Sequence, residues 1–332
     1  MKYPLRTAVV GFGFMGKTHA ANILRSDVMT LSAIVDRSPD AIGQAMSGNL
    51  DTGSFDPEAL SSVRQYTDWE ECLEKESLDL AYICVHTSKH CEMSMKALRK
   101  GLHVFIEKPF VLDVAEGEAL IEEARRQQRK IGVAHVVRFM PAYVRLMELY
   151  RQETYGALKF LSLTRFSGIP HWGEWEKRRQ DFGSSGGALF DLLIHDIDYL
   201  HYLLGKPDRI ESRCLPGVLS LHDYVSAFWH YEGRDRMVKV EGGNTFHARL
   251  PFEAGFRAMF ERASVTWSSG KARELYVADD ASLQTIALDD AGEGYRDEGA
   301  YFARCVLNDT YPEACSAESS LETVRLCHQH IR

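Results

Sequence analysis

The turn Gly11-Phe12-Gly13-Phe14-Met15-Gly16 has the spacing of a phosphate cradle. Its glycines permit a tight turn, a close backbone approach to a pyrophosphate and close helix–strand packing. A helix opening there offers free N–H groups and the positive end of its dipole. Glycine-rich loops of this kind are common, so the pattern alone is weak. Asp36 lies twenty positions after Gly16, where an acid reaching the ribose hydroxyls of a dinucleotide belongs. Its carboxylate favours NAD because it repels the 2′-phosphate of NADP. Arg37 beside it keeps NADP as the alternative, since an arginine accommodates that phosphate.

A second group is Glu107-Lys108-Pro109, directly after the apolar run His103 to Ile106. At the carboxyl end of a parallel strand, where open α/β sheets bind ligands, a lysine can hydrogen-bond a substrate hydroxyl and stabilise a developing alkoxide. A surface turn is the plain alternative for so short a motif. Pro109 fixes the local chain and is a candidate for a cis bond.

The third group lies on one helix. At 3.6 residues per turn Asp191, His195, Asp198 and Tyr202 share a stripe, with Leu189, Leu192, Leu193 and Ile197 as apolar cover. Histidine titrates near neutral pH, so His195 suits a general acid/base, and Asp191 one turn earlier can orient the ring or a substrate. A satisfied buried histidine is the competing reading. Asp and His at i, i+4 can also ligate zinc, but no third or fourth ligand falls at a recognisable spacing, so no metal is expected.

These groups need elements to hold them. The first 135 residues alternate short apolar runs (Thr7 to Val10, Leu31 to Val35, Leu80 to Val85, His103 to Ile106, Lys130 to Val137) with helical patterns (Lys17 to Arg25, Pro39 to Met46, Trp69 to Lys75, Lys89 to Lys100, Asp113 to Gln128). Strands apolar throughout, alternating with helices, predict a parallel sheet covered on both faces. After residue 140 the rhythm changes. Helical patterns run over Pro141 to Arg151 and Gly187 to Leu204, and strands dominate from Arg209 to Leu288. Two helices follow, near Tyr295 to Leu307 and Ser319 to Ile331. The expected fold is α/β: a doubly wound Rossmann domain over 1–134, then an α+β domain with a large, mostly antiparallel sheet over 135–332.

With those motifs and elements the sequence resembles the glucose–fructose oxidoreductase / inositol dehydrogenase / MocA family. The likeness runs through Gly11 to Gly16, Asp36, the segment from His90 to Gly101, the stretch ending in Glu107-Lys108-Pro109, and Gly186 through Asp191, His195 and Asp198. It covers close to the whole chain. Lys108, Asp191 and His195 match the family's catalytic lysine, aspartate and histidine, and Asp198 a further substrate-proximal position. The resemblance implies dinucleotide contacts from Gly11, Gly13, Phe14, Met15 and Gly16, from Asp36 and Arg37, and from His86, His90, Glu107 and Lys108. One departure is Val85-His86-Thr87-Ser88, where family members often carry Thr-Pro along the nicotinamide side of the cofactor. The implied reaction is reversible oxidation of a secondary alcohol on a sugar, cyclitol or related polyol. The implied assembly is a homodimer or homotetramer.

Other substrate contacts are expected from His135 and Arg138, at the carboxyl edge of the sixth strand. Trp172, in an aromatic and charged loop preceding the active helix, is suited to pack on a sugar ring. His19 reads as a packing residue of the first helix. A net charge of −8, with 47 acidic and 39 basic side chains, argues against nucleic acid or an anionic membrane as main partner. No stretch approaches the apolar length of a membrane span. Seven scattered cysteines without C-x-x-C spacing suit reduced thiols in the cytoplasm. Three rivals remain. An NAD-dependent glycosidase would release sugar without net NADH, a dinucleotide sensor or scaffold would need none of the three catalytic residues, and a reductase of imines or conjugated double bonds would act little on polyols.

Overall fold

The computed structural model describes residues 4–41, 57–169, 186–290 and 293–331. The chain folds as two compact units, one made of residues 1–135 and 295–322, the other of 136–294 and 323–332. The first crossing falls beside the boundary expected at 134/135. The later return of 295–322 to the first unit has no local signature in the sequence, because it is made by contacts across some two hundred residues.

In the first unit the strands are β1 (Leu5–Val10), β2 (Met29–Val35), β3 (Arg64–Tyr66), β4 (Leu80–Ile83), β5 (His103–Glu107) and β6 (Ile131–Ala134). They form a parallel sheet in the order β3-β2-β1-β4-β5-β6. β4, β5 and β6 are buried at every residue, which is why they read as continuous apolar runs. The helices are α1 (Phe14–Leu24), α2 (Trp69–Lys75), α3 (His90–Arg99) and α4 (Val114–Arg126). Asp68 caps α2 by accepting the Glu71 N–H, and Asp113 caps α4 by accepting from Ala115. Gly101, at φ +82°, ends α3 in the left-handed conformation glycine favours. The strand order reverses on either side of β1, so the turn after β1 and the loop after β4 meet at the switch point where such sheets bind ligands. Of the helical pattern expected over 39–46, a short turn at Pro39–Ala41 is described; the rest lies outside the described residues. β3 is too short to announce itself by periodicity.

In the second unit α5 (Pro141–Arg151) precedes β7 (Leu158–Gly168). Next come a π-helical turn (Leu189–Leu193), α6 (Ile194–Leu204), β8 (Arg209–Leu215), β9 (Tyr224–His230), β10 (Met237–Phe246), β11 (Glu253–Phe260), β12 (Ala263–Ser268), β13 (Glu274–Asp279) and β14 (Leu283–Ala287). The eight strands run β14-β13-β12-β11-β7-β10-β9-β8, all neighbours antiparallel except β7 with β10. β7 alternates as a half-buried strand must: Leu161 and Leu163 are buried, while Phe160, Ser162 and Thr164 form a half-covered opposite face. Two last helices, α7 (Glu293–Leu307) and α8 (Ala317–Gln329), carry the chain into the first unit and back. Among the described residues no helix is long and apolar enough to cross a membrane.

Candidate active site

In the first unit the glycine turn takes the shape its spacing predicts. Gly11 has φ +90°, and a Cβ on it would lie 2.5 Å from the Cys84 carbonyl oxygen; a Cβ on Gly16 would lie 2.0 Å from the Gly11 oxygen. Both positions therefore exclude any larger residue. Gly13 differs: a Cβ there meets nothing within 4 Å. Gly13 is also the N-cap of α1, whose first turn has no side-chain cap and no acidic residue. An open backbone surface at an uncapped helix N-terminus fits a pyrophosphate.

Asp36 stands at the end of β2 and is tied to this turn. Its Oδ2 accepts the Phe12 N–H at 2.7 Å and its Oδ1 accepts the Ser38 N–H at 2.8 Å. Arg37 is exposed, and Phe14 and Met15 are half-buried at the start of α1. Lys17, buried in α1, went unnoticed in the sequence. Burial lowers its pKa, while the charge of Asp36 pulls the other way.

The loops after β4 and β5 carry three more of the expected residues, His86, His90 and Glu107. His86 is exposed and caps the turn that follows it, accepting the Ser88 N–H at Nδ1. His90, expected to touch the dinucleotide, is buried, and both its ring nitrogens face backbone carbonyls of its own unit. Glu107 is buried as well: its Oε1 lies 2.6 Å from His19 Nε2, and its Oε2 accepts the Lys108 N–H. The structure thus gives His90 and Glu107 partners within their own unit, on either side of Lys108. It also gives His19, read as mere packing, a specific partner 88 residues away. Lys108 itself is half-buried at the carboxyl end of β5, and the Lys108–Pro109 bond is cis.

The second unit holds the helical group, and here the single stripe divides. The first turn is π-helical at Leu189–Leu193, wider than an α-turn, and passes into α6 at Ile194. Such turns recur at functional sites, and they break the 3.6-residue register on which the stripe was drawn. Asp191 and His195 remain partly exposed, whereas Asp196 and Asp198 are wholly buried.

The buried acids are spent on arginines. Asp198 accepts from Arg138 Nε at 2.7 Å and Nη2 at 2.5 Å, and from Thr323 Oγ1 at 2.9 Å. Tyr202 covers that guanidinium at 4.6 Å. Asp196 takes Arg165 at 2.6 and 3.2 Å. Burial pushes the Asp196 carboxyl up and Arg165 pulls it back. Arg138 and Asp198, both expected at the substrate, are therefore a closed internal pair. His135 is 1% exposed, just past β6. Trp172 and its loop lie outside the described residues. Nothing in the spacing announced these pairings, whose partners sit 60 and 31 residues apart.

A parallel sheet with this strand order and an open glycine turn at its switch point defines the first unit as a NAD-binding Rossmann fold, the class to which nicotinamide oxidoreductases belong. The sequence itself matches two family models: the oxidoreductase family with NAD-binding Rossmann fold over residues 5–135, and the GFO/IDH/MocA C-terminal domain over 143–277. The chain belongs to the GFO/IDH/MocA oxidoreductase family. It is 27% identical over 202 residues to myo-inositol 2-dehydrogenase of Thermotoga maritima, covering 61% of this chain and 55% of that protein. With scyllo-inositol 2-dehydrogenase (NAD+) of Bacillus subtilis it shares 29% over 206 residues, 62% of this chain and 55% of the relative. The chain thus aligns with little more than half the length of these relatives. Among solved structures, UDP-N-acetylglucosamine 3-dehydrogenase from Acidithiobacillus ferrooxidans matches with a TM-score of 0.78 at 20% identity, over 99% of this chain and 97% of that one; at that identity the likeness shows the fold.

Proposed function

We propose that this protein oxidises a secondary alcohol of a sugar, cyclitol or related polyol with NAD, reversibly. One observation carries the reading. Of the four ionisable side chains from Asp191 to Asp198, two are buried in arginine pairs and the other two, Asp191 and His195, stay partly exposed. Bound NAD supplies the hydride acceptor. Lys108 donates a hydrogen bond to the substrate oxygen and stabilises its alkoxide character as the C–H bond breaks. His195 accepts the hydroxyl proton, and Asp191 orients the imidazole or the substrate. The relatives' inositol and sugar-nucleotide substrates set the class of compound to try.

Asp36 supports NAD over NADP. Its carboxylate is fixed against the Phe12 N–H, so a 2′-phosphate would meet a charge that cannot swing away. Seven free cysteines support a reducing, cytoplasmic setting. The half-covered face of the eight-stranded sheet, with Met259, Phe160 and Met237 side by side on β11, β7 and β10, supports pairing of two chains; light scattering reads the mass directly.

The test is reduction of NAD+ and NADP+ against cyclitols, aldoses, sugar acids and amino sugars. Turnover with a polyol is expected, and Lys108→Ala or His195→Ala should each lower kcat about 10²- to 10⁴-fold while NAD+ still binds. Unchanged turnover in both variants sinks the assignment. Release of free sugar without net NADH redirects it to a glycosidase.

A further inference from the structure

Two buried histidines grip the residues on either side of Lys108. His19 holds Glu107 at 2.6 Å, and Glu107 Oε2 in turn accepts the Lys108 backbone N–H at 3.2 Å. On the other side His90 Nδ1 lies 2.9 Å from the Pro109 carbonyl oxygen and 3.3 Å from that of Phe110. Its Nε2 lies 3.0 Å from the carbonyl oxygen of Val85. His90 is the first residue of α3 and is 1% exposed. One ring therefore spans the segment leaving β4 and the segment leaving β5.

Carbonyl oxygens only accept, so at least one nitrogen of this ring donates in any protonation state. Packing alone does not account for the arrangement. An apolar side chain fills the same space without bonding either carbonyl, whereas here both nitrogens find one, on two different loops. Burial favours the neutral ring and the carbonyls favour the charged one. The neutral ring, with a single N–H, bonds one of the two segments and packs against the other, whereas the imidazolium bonds both.

We propose that His90 is a positioning residue for Lys108: lying between the Val85 and Pro109 carbonyls, with at least one N–H donated to them, it fixes the loop that sets where the ammonium is presented. The inference rests on the reading of Lys108 as the group that holds the reacting oxygen. His90 acts through the backbone of Pro109 and touches neither substrate nor the lysine side chain. Positioning of this kind matters because a displacement of about 1 Å costs an enzyme about 10²-fold in rate.

The experiment measures NAD+ reduction with the polyol found in the screen, myo-inositol being tried first. The proteins are wild type, His90→Phe, His90→Gln, Lys108→Ala and the double variant His90→Phe/Lys108→Ala. NAD+ affinity and melting temperature are measured for each. His90→Phe fills the ring's space without a donor and should lower kcat about 10- to 100-fold, with KM and NAD+ affinity within about two-fold of wild type. His90→Gln, whose amide restores an N–H, should recover part of that loss. Added to Lys108→Ala, His90→Phe should cost nothing further, because no ammonium is left to position.

The proposal is overturned by an unchanged kcat in His90→Phe, by the same fractional loss in the Lys108→Ala background, or by a loss that lies in NAD+ affinity. Should His90→Phe fail to fold, His90→Asn, whose shorter amide cannot span both carbonyls, carries the same comparison. Failure of the functional reading looks different: Lys108→Ala then keeps full turnover whatever His90 does.

Discussion

Asp196 and Asp198 of the second unit and Glu298 of the first are buried in opposite ways. In the second, Asp196 and Asp198 meet arginines through two hydrogen bonds each and stay inside as ion pairs. In the first, Glu298 of α7 is wholly buried, and both its carboxyl oxygens lack a hydrogen-bond partner among the described residues. Burial, and then the charge of Glu107, pushes its pKa well above the usual range, so it sits there as the neutral acid. The ion pairs pin the helix that presents Asp191 and His195, and removing one partner strands a charge. A neutral acid pins nothing and strands nothing.

Breaking a pair should therefore have the largest effect. Asp198→Ala leaves Arg138 charged in the interior and should destabilise the protein by about 3–5 kcal/mol, read by urea or thermal unfolding. Replacing both partners, as Arg138→Met with Asp198→Leu, should restore much of that loss. A double variant as unstable as the single one would mean the pair contributes more than mutual neutralisation.

The next effect is on acid stability and falls on both units. His103 of β5 accepts the Lys130 N–H at Nδ1. Its pKa is lowered from 6.5 to about 4 by burial, with Arg129 and Lys130 adding to the shift. His330, near the chain's end, accepts the Trp229 indole N–H at Nε2, and burial lowers it to about 4. Both are neutral in the fold but take up a proton near pH 6.5 once unfolded. Their stability contribution is complete above that value and is lost as pH falls from about 6.5 to about 4. At about 1.4 kcal/mol per pH unit, the span from 6.5 to about 4 makes each worth at most about 3.5 kcal/mol. Urea midpoints between pH 7.5 and 4 should fall accordingly, and less steeply for His103→Asn, whose amide oxygen still accepts from Lys130. An equal slope in the two proteins would exclude His103 as a source.

The opposite pH dependence belongs to Glu298. A raised carboxyl pKa means that stability declines as pH rises above about 4.5, the ordinary value, because the unfolded acid ionises first. Glu298→Gln should remove that cost, raising stability at pH 7 and changing little below pH 4. A destabilised Gln variant at pH 7 would show that the carboxyl is doing something specific.

What was legible in the sequence follows from the range of the interaction that made each feature. The parallel sheet, the glycine turn and Asp36 depend on apolar runs and on spacings of a few to twenty residues, and the structure holds them where the pattern placed them. The helix end at Gly101, in the left-handed conformation glycine favours, is equally local in origin. The stripe from Asp191 to Tyr202 divides between His195 and Asp198, inside α6, where long-range packing and the Arg138 pair decide which residue is buried. His19 with Glu107 and Arg138 with Asp198 pair across 88 and 60 residues, and no periodicity connects such partners. Candidate residues were recognisable by type. Which of them are spent inside the fold was not.

The return of residues 295–322 to the first unit has a consequence for how the protein is made. Phe302 of α7 packs against Phe105 at 5.4 Å, and its ring fills the space that a side chain on Gly132 would need. A nascent chain that has just released residue 135 from the ribosome holds all six strands of the parallel sheet but none of that cover. Apolar surface on β5 and β6 must then wait through some 160 further residues of synthesis, at about 5–20 residues per second. For that interval of many seconds, the half of the molecule that is complete in strands is incomplete in its packing.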